Sequence, residues 1–159
     1  MKLLAIDPGY ERLGIAILDK DLPEKDRLIF SECFKTSREN PHPERLRLIH
    51  QRILEIVEKF HPEELAIEEL FFNTNQKTAL AVAEVRGLII GVSKSLNLKI
   101  FEYKPQEIKV AVTGNGRSDK NSIIKMIPIL LNIKKEIKYD DEYDAIACGL
   151  THFAFNYKK

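Results

Sequence analysis

Apolar residues follow two rhythms along this chain of 159 residues. In residues 2–7 and 13–19 they form short β-rich runs, KLLAID and LGIAILD, separated by PGYER, whose Pro8 and Gly9 are turn residues; this predicts a hairpin. KDLPEKD is the next turn. RLIFSECFKT then alternates, with Leu28, Phe30 and Glu32 on one side and Ile29, Ser31 and Cys33 on the other, as a third antiparallel strand would. The rhythm becomes helical in NPHPERLRLIHQRILEIVEKFHP, where Leu46, Ile49, Ile53, Ile56 and Val57 recur at helical spacing between prolines. EELAIEELFF, an apolar run between charges, reads as a central strand that emerges near Glu68. A long helix through NQKTALAVAEVRGLIIGVSKSLN and a short strand, LKIFEY, come next. KPQEIKVAVTG predicts a short helix with Pro105 in its first turn, and Gly114 and Gly116 mark a loop. Ser118 is placed to cap DKNSIIKMIPILLN, which Pro128 should kink or end. DDEYDAIACGLTHFAFNYK closes the chain as a helix with acids in its first turn.

A hairpin-rich start followed by alternating helices and strands predicts an α/β architecture, a mixed sheet with helices on both faces, and such sheets place ligands at strand ends. The length suits one domain spanning 1–159. MKLLAIDPGY reaches an acid and a proline after four apolar residues, so no signal peptide is expected, and no apolar run approaches membrane-spanning length. Cys33 and Cys148 lack CxxC spacing, which argues against a zinc or redox motif and for a cytoplasmic location. The net charge of +1 does not announce a nucleic-acid partner. Locally the balance differs: between Lys104 and Lys125 five bases (Lys104, Lys109, Arg117, Lys120, Lys125) face two acids, Glu107 and Asp119.

The chemistry lies in the acids. Asp7 ends an apolar strand, where a charge needs a counter-ion, a hydrogen-bond network or solvent. Its local sequence, Asp before Pro-Gly, equally suits a turn. Glu68 lies at the end of the central strand; Glu69 beside it points to the opposite face, and periodicity does not choose between them. Asp141 and Asp144 are three apart in a helix first turn and share a face. Acids in a first turn are favourable whatever the function, and Asp140 and Glu142 read as no more than that. Asp144 begins an apolar face continued by Ala145 and Cys148, where a charge without a counter-ion is costly. If the first and fourth strands are neighbours and the last helix crosses them, these carboxylates converge, and hard divalent cations would neutralise them. His42, His50, His61 and His152 form no metal-spaced cluster and read as structural or surface residues.

IDPGYERLGIAI, LAIEELFF, GNGRSDKNS and DEYDAIACGLTH stand in the order and at the spacing of the RuvC family of Holliday-junction resolvases, which this chain resembles over essentially its whole length. The resemblance implies a ribonuclease-H-like five-stranded mixed sheet flanked by helices on both faces. It implies that Asp7, Glu68, Asp141 and Asp144 form the metal-binding set for two Mg²⁺ ions, with Mn²⁺ able to substitute, and that cleavage leaves 5′-phosphate and 3′-hydroxyl ends. It further implies that Phe71 stacks at the junction crossover, while Phe72 has no match and reads as core or interface. Lys109 and Lys120 are implied to lie near the scissile phosphate, with Lys120 neutralising its charge, and Arg117 to serve the same polyanion. With four of the 24 acids committed to metal, the 25 bases exceed the remainder by five, which leaves room for a basic DNA surface. The implied partners are a four-way DNA junction, a second copy of the chain meeting through the helix after Asn75, and a branch-migration motor of the RuvA and RuvB type.

Three other readings compete. Sugar-kinase, actin and chaperone ATPases open on a similar acidic strand-turn-strand but need two such domains around the nucleotide. A ribonuclease-H-like group that acts on structured RNA in ribosomal RNA processing shares the opening motif, but LAIEELFF followed by a long helix suits the resolvase better. A non-cleaving branched-DNA binding module would not need the complete acid set.

Overall fold

The computed structural model describes residues 1–20, 26–70 and 76–157; Phe71 and Phe72 lie outside them. Five strands and five helices follow one another as β1 (Lys2–Asp7), β2 (Arg12–Asp19), β3 (Arg27–Lys35), α1 (His42–Phe60), β4 (Glu64–Glu68), α2 (Gln76–Ser95), β5 (Lys99–Tyr103), α3 (Pro105–Thr113), α4 (Lys120–Leu131) and α5 (Asp140–Asn156). The sheet order is β3-β2-β1-β4-β5. β1, β2 and β3 pair antiparallel, whereas β4 and β5 join parallel to β1 and to each other.

Alternation along the strands sorts side chains between two cores. Leu3, Ala5, Ala16, Leu18 and Ala66 pack beneath α3, α4 and α5. Leu4, Ile6, Ile15, Ile17, Leu65 and Ile67 pack against Ile49, Ile53 and Ile56 of α1 and Val85 and Ile89 of α2. β1 and β4 are buried on both faces, which is why they read as continuous apolar runs and not as alternating ones.

β3 breaks the predicted alternation. Ile17 pairs with Phe30, but Leu18 pairs with Leu28, so Ile29 is an extra residue in a bulge. Leu28 therefore joins the α5-side core while Phe30 joins the α1-side core, and Ile29 is exposed. The cap of α4 is Asp119, not Ser118: its carboxylate accepts from the Ser122 backbone N–H at 2.8 Å, and Ser118 Oγ pairs with Thr113 Oγ1 at 2.8 Å instead. α4 also runs through Pro128 to Leu131, because burial of Ile123, Ile127 and Leu131 offsets the one helix hydrogen bond that proline lacks. Glu142 is more than a first-turn acid. It is buried, accepts from Ser31 Oγ at 2.6 Å and pairs with Lys135, tying the start of α5 to β3.

The far end of α5 is fastened as well. His152 is fully buried; one ring nitrogen lies 2.7 Å from Glu64 Oε2 and the other 2.8 Å from Tyr103 Oη, while Tyr157 Oη donates to Glu64 at 3.0 Å. Burial lowers the His152 pKa despite Glu64, so the neutral ring is favoured. Between its ends α5 lies very close to the sheet. A Cβ on Gly149 would approach Leu18 Cδ1 to 2.5 Å, and one on Gly14 would sit 1.9 Å from the Asp141 carbonyl oxygen.

Gly14→Ala is therefore expected to lift the α5 N-terminus from the hairpin at a cost of about 2–3 kcal/mol. A fall of roughly 4–12 °C in the melting temperature checks this; an unchanged melting temperature would contradict the close approach.

Candidate active site at the strand ends

Asp7 continues the face of Leu3 and Ala5 toward α5, and Glu68 continues that of Ala66. Ile6 and Ile67 are register partners, so Asp7 and Glu68 follow side by side at the ends of parallel neighbours. Asp7 also stands opposite Gly14 in the hairpin, and the bare Gly14 backbone is what lets Asp141 come down over it. Asp144 lies one turn further along α5, on the inward face predicted from its apolar neighbours. The sequence-predicted acids thus meet at one end of the sheet.

Their mutual field is strong. The Asp7 pKa is raised well above its ordinary value, by burial first and then by the charges of Asp144, Glu68 and Asp141. Glu68 is pushed up to about 7 by burial and Asp144, against the pull of Lys120 and Lys109. Asp144 is raised too, by burial above all, although Lys120 bonds to it. Among the described residues, no three His, Cys, Asp or Glu side chains are drawn close enough to coordinate an ion as they stand. Uncompensated carboxylates repel, and two bases stand among these. Lys120 Nζ bridges Asp140 Oδ2 at 2.8 Å and Asp144 Oδ2 at 2.7 Å, and Arg12 Nε lies 3.1 Å from Asp141 Oδ2. The hydrogen bond to Lys120 lowers the pKa of the more exposed Asp140, whereas burial outweighs the same base at Asp144. Burial works against the Lys120 charge, but its bonds to Asp140 and Asp144 raise its pKa.

Lys109 and Lys120 line a cleft of about 240 Å³ with Glu68 and Asp144. Arg117 is exposed in the loop before α4, its backbone N–H donating to Asn115 Oδ1 at 3.0 Å. The expectation for Phe71 lies outside the described residues. Three participants escaped the sequence reading. Arg12 carried no local signal beyond its charge, and Asp140 read as no more than a helix first-turn acid. Arg86, whose Nε donates to the Glu68 carbonyl at 3.1 Å and which also pairs with Glu102, was visible only as a lone base inside the apolar AVAEVRGLII run.

Three antiparallel strands followed by two parallel ones, with carboxylates at the ends of β1 and β4 facing the first turn of α5, define a ribonuclease-H-like nuclease fold. Residues 3–152 match the family model described as crossover junction endodeoxyribonuclease RuvC, and the chain belongs to the RuvC family. It is 40% identical over 152 residues to the crossover junction endodeoxyribonuclease RuvC of Finegoldia magna and 38% identical over 152 residues to that of Halothermothrix orenii, in each case covering 96% of this chain and 92% of the relative. Among solved structures, T. thermophilus RuvC in complex with Holliday junction substrate superimposes with a TM-score of 0.90 at 32% identity, covering 98% of this chain and 94% of that one.

A raised carboxyl pKa means that the folded state binds protons more tightly than the unfolded chain, so this contribution to stability is present at low pH and is lost as pH rises through the folded value. For Glu68 the window runs from its ordinary 4.5 to about 7. In chelator, Glu68→Gln is expected to stabilise the protein by roughly 1–3 kcal/mol at pH 7.5 and to be near neutral at pH 4.5. Thermal melts of both proteins across that range check the sign; equal gains at both pH values would refute it.

Proposed function

We propose that this chain resolves Holliday junctions by paired symmetric nicks in recombination and repair, hydrolysing one phosphodiester in each of two strands with Asp7, Glu68, Asp141 and Asp144 as its metal-binding set. The observation that carries this reading is the side-by-side placement of Asp7 and Glu68, both with raised pKa values, beneath the aspartates of α5. Family membership and the close superposition on a junction-bound relative support it. The donor set is all carboxylate oxygen, the chemistry that hard divalent ions take, and its excess of negative charge is what such ions relieve. We assign it two Mg²⁺ ions, with Mn²⁺ able to substitute. When bound, a pair of such ions supplies an activated water and charge stabilisation at the leaving 3′ oxygen.

The chain's own residues do the rest. Lys120, at the first position of α4, neutralises phosphate charge during cleavage, and Lys109 and Arg117 hold the DNA backbone on the same side. Phe71, two residues beyond Glu69 and next to a polar stretch, stacks on bases at the crossover, worth roughly 1–3 kcal/mol per base. The products carry 5′-phosphate and 3′-hydroxyl ends, and no covalent intermediate with the protein is needed. A junction presents two equivalent strands about a two-fold axis, which a homodimer matches with two sites. α2 offers the dimer contact: Val85 and Ile89 are spent on the sheet, while Leu80 is exposed. The enzyme acts in the cytoplasm beside a branch-migration motor of the RuvA and RuvB type; among the described residues no helix is long and apolar enough to cross a membrane.

The test is a labelled mobile four-way junction, with linear duplex as control, incubated in Mg²⁺ or in chelator and mapped for cuts. Paired, metal-dependent nicks confined to the junction are expected. Binding without cuts would point to a binding module, and no binding would redirect attention to structured RNA. Asp7→Asn should abolish cutting while junction binding survives; retained cutting would overturn the site. Phe71→Ala should damage resolution far more than the melting temperature, and the reverse result would make Phe71 a core residue.

A further inference from the structure

Two cations of the chain hold the aspartates of α5 from opposite sides. Lys120 reaches in from the start of α4 and bridges Asp140 and Asp144; Arg12 reaches in from the start of β2, 3.1 Å from Asp141 and 3.9 Å from Asp140. Among the described residues, Asp7 and Glu68 on the sheet have no ion-pair partner. We propose that Arg12 and Lys120 are the internal counter-ions of the acidic site, and that DNA phosphate draws them off the aspartates so that divalent metal loads when the substrate is in place. The inference rests on the reading of the four carboxylates as the metal-binding set and adds to it a role for Arg12.

Geometry and charge carry the argument. A base seated on Asp141 or Asp144 and a divalent ion seated on the same carboxylates compete for the same oxygens and repel each other. The clamp is also releasable. The Arg12 and Lys120 side chains are 47% and 49% exposed, so each can swing outward without unpacking a core. Arg12 is at ion-pair distance from Asp141 Oδ2, yet that buried oxygen receives no hydrogen bond, so it keeps unused capacity for an incoming ligand. A phosphodiester offers both bases an alternative partner, bidentate in the case of arginine. The two bases also open onto the two clefts beside the site: Lys120 onto the one with Glu68 and Lys109, and Arg12 onto one of about 460 Å³ between the β1–β2 turn and α2. A strand entering either cleft meets a cation that is holding an aspartate. By linkage, whatever DNA does to metal affinity, metal does equally to DNA affinity.

The experiment is Mn²⁺ binding to the full chain followed by electron paramagnetic resonance, first without DNA. The variants are Arg12→Gln and Lys120→Met, with Arg12→Lys and Lys120→Arg keeping the charge and melting curves confirming folding. Each neutral variant is expected to bind Mn²⁺ about fivefold more tightly than the wild type, with the charge-keeping variants close to wild type. A four-way junction should then tighten Mn²⁺ binding to the wild type more than to the Arg12→Gln/Lys120→Met double variant. Neutral variants that bind no tighter, or that behave like their charge-keeping counterparts, would overturn the counter-ion role. Asp7→Asn separates the two levels. If it leaves Mn²⁺ binding intact, the metal-site reading itself fails; if it abolishes binding while Arg12 and Lys120 variants have no effect, only the counter-ion inference fails.

Discussion

Repulsion among carboxylates held on one end of a sheet is the constraint around which this molecule is organised. Asp7, Glu68 and Asp144 all have raised pKa values, each through burial in the first place and then through neighbouring carboxylates: Asp144 acts on both Asp7 and Glu68, and Asp140 and Asp141 act on Asp144. Such an arrangement is costly in a folded protein, and only a scaffold with stability to spare sustains it. Here β1 and β4 are buried on both faces, and two separate apolar cores clamp the strands that carry Asp7 and Glu68. The acids sit where the chain is least able to move away.

The third wall of the site, α5, is set by backbone proximity and by polar ties at both ends. Gly14 and Gly149 let the helix settle onto the hairpin and β1, where a single added carbon would collide. Glu142 fixes its start to Ser31 and Lys135, and the Glu64, Tyr103 and His152 cluster fixes its far end. Because Glu64 and Glu68 lie on the same face of β4, one strand both anchors the end of the helix and supplies an acid facing its beginning.

Much of this was legible in the sequence because the signals were local. The apolar runs ending at Asp7 and Glu68 announced strands with a charge at the tip, and the spacing of Asp141 and Asp144 announced a shared helical face. Choosing Glu68 over Glu69 needed the family resemblance, since neighbouring residues on a strand differ only in which face they take; in the structure Glu68 shares the face of Ala66. What could not be read was long-range pairing. The Glu142 partners lie more than a hundred residues away at Ser31 and close by at Lys135, and no periodicity links Arg12 to Asp141. The β3 bulge escaped for a different reason: an extra residue leaves composition unchanged while it reverses the side of Leu28. At α4, two adjacent cap-forming residues, Ser118 and Asp119, competed, and the carboxylate took the cap while the hydroxyl bonded to Thr113.

Arg86 links α2 to the sheet. Its guanidinium joins α2 to the carbonyl of Glu68 and to Glu102 on the neighbouring strand, so it works as a cross-brace between one helix and two strand ends. A brace of this kind makes the helix and the strand tip a single mechanical unit. Any surface that seats against α2 is then separated from the backbone of Glu68 by one side chain, so what presses on the helix bears next on the tip of β4.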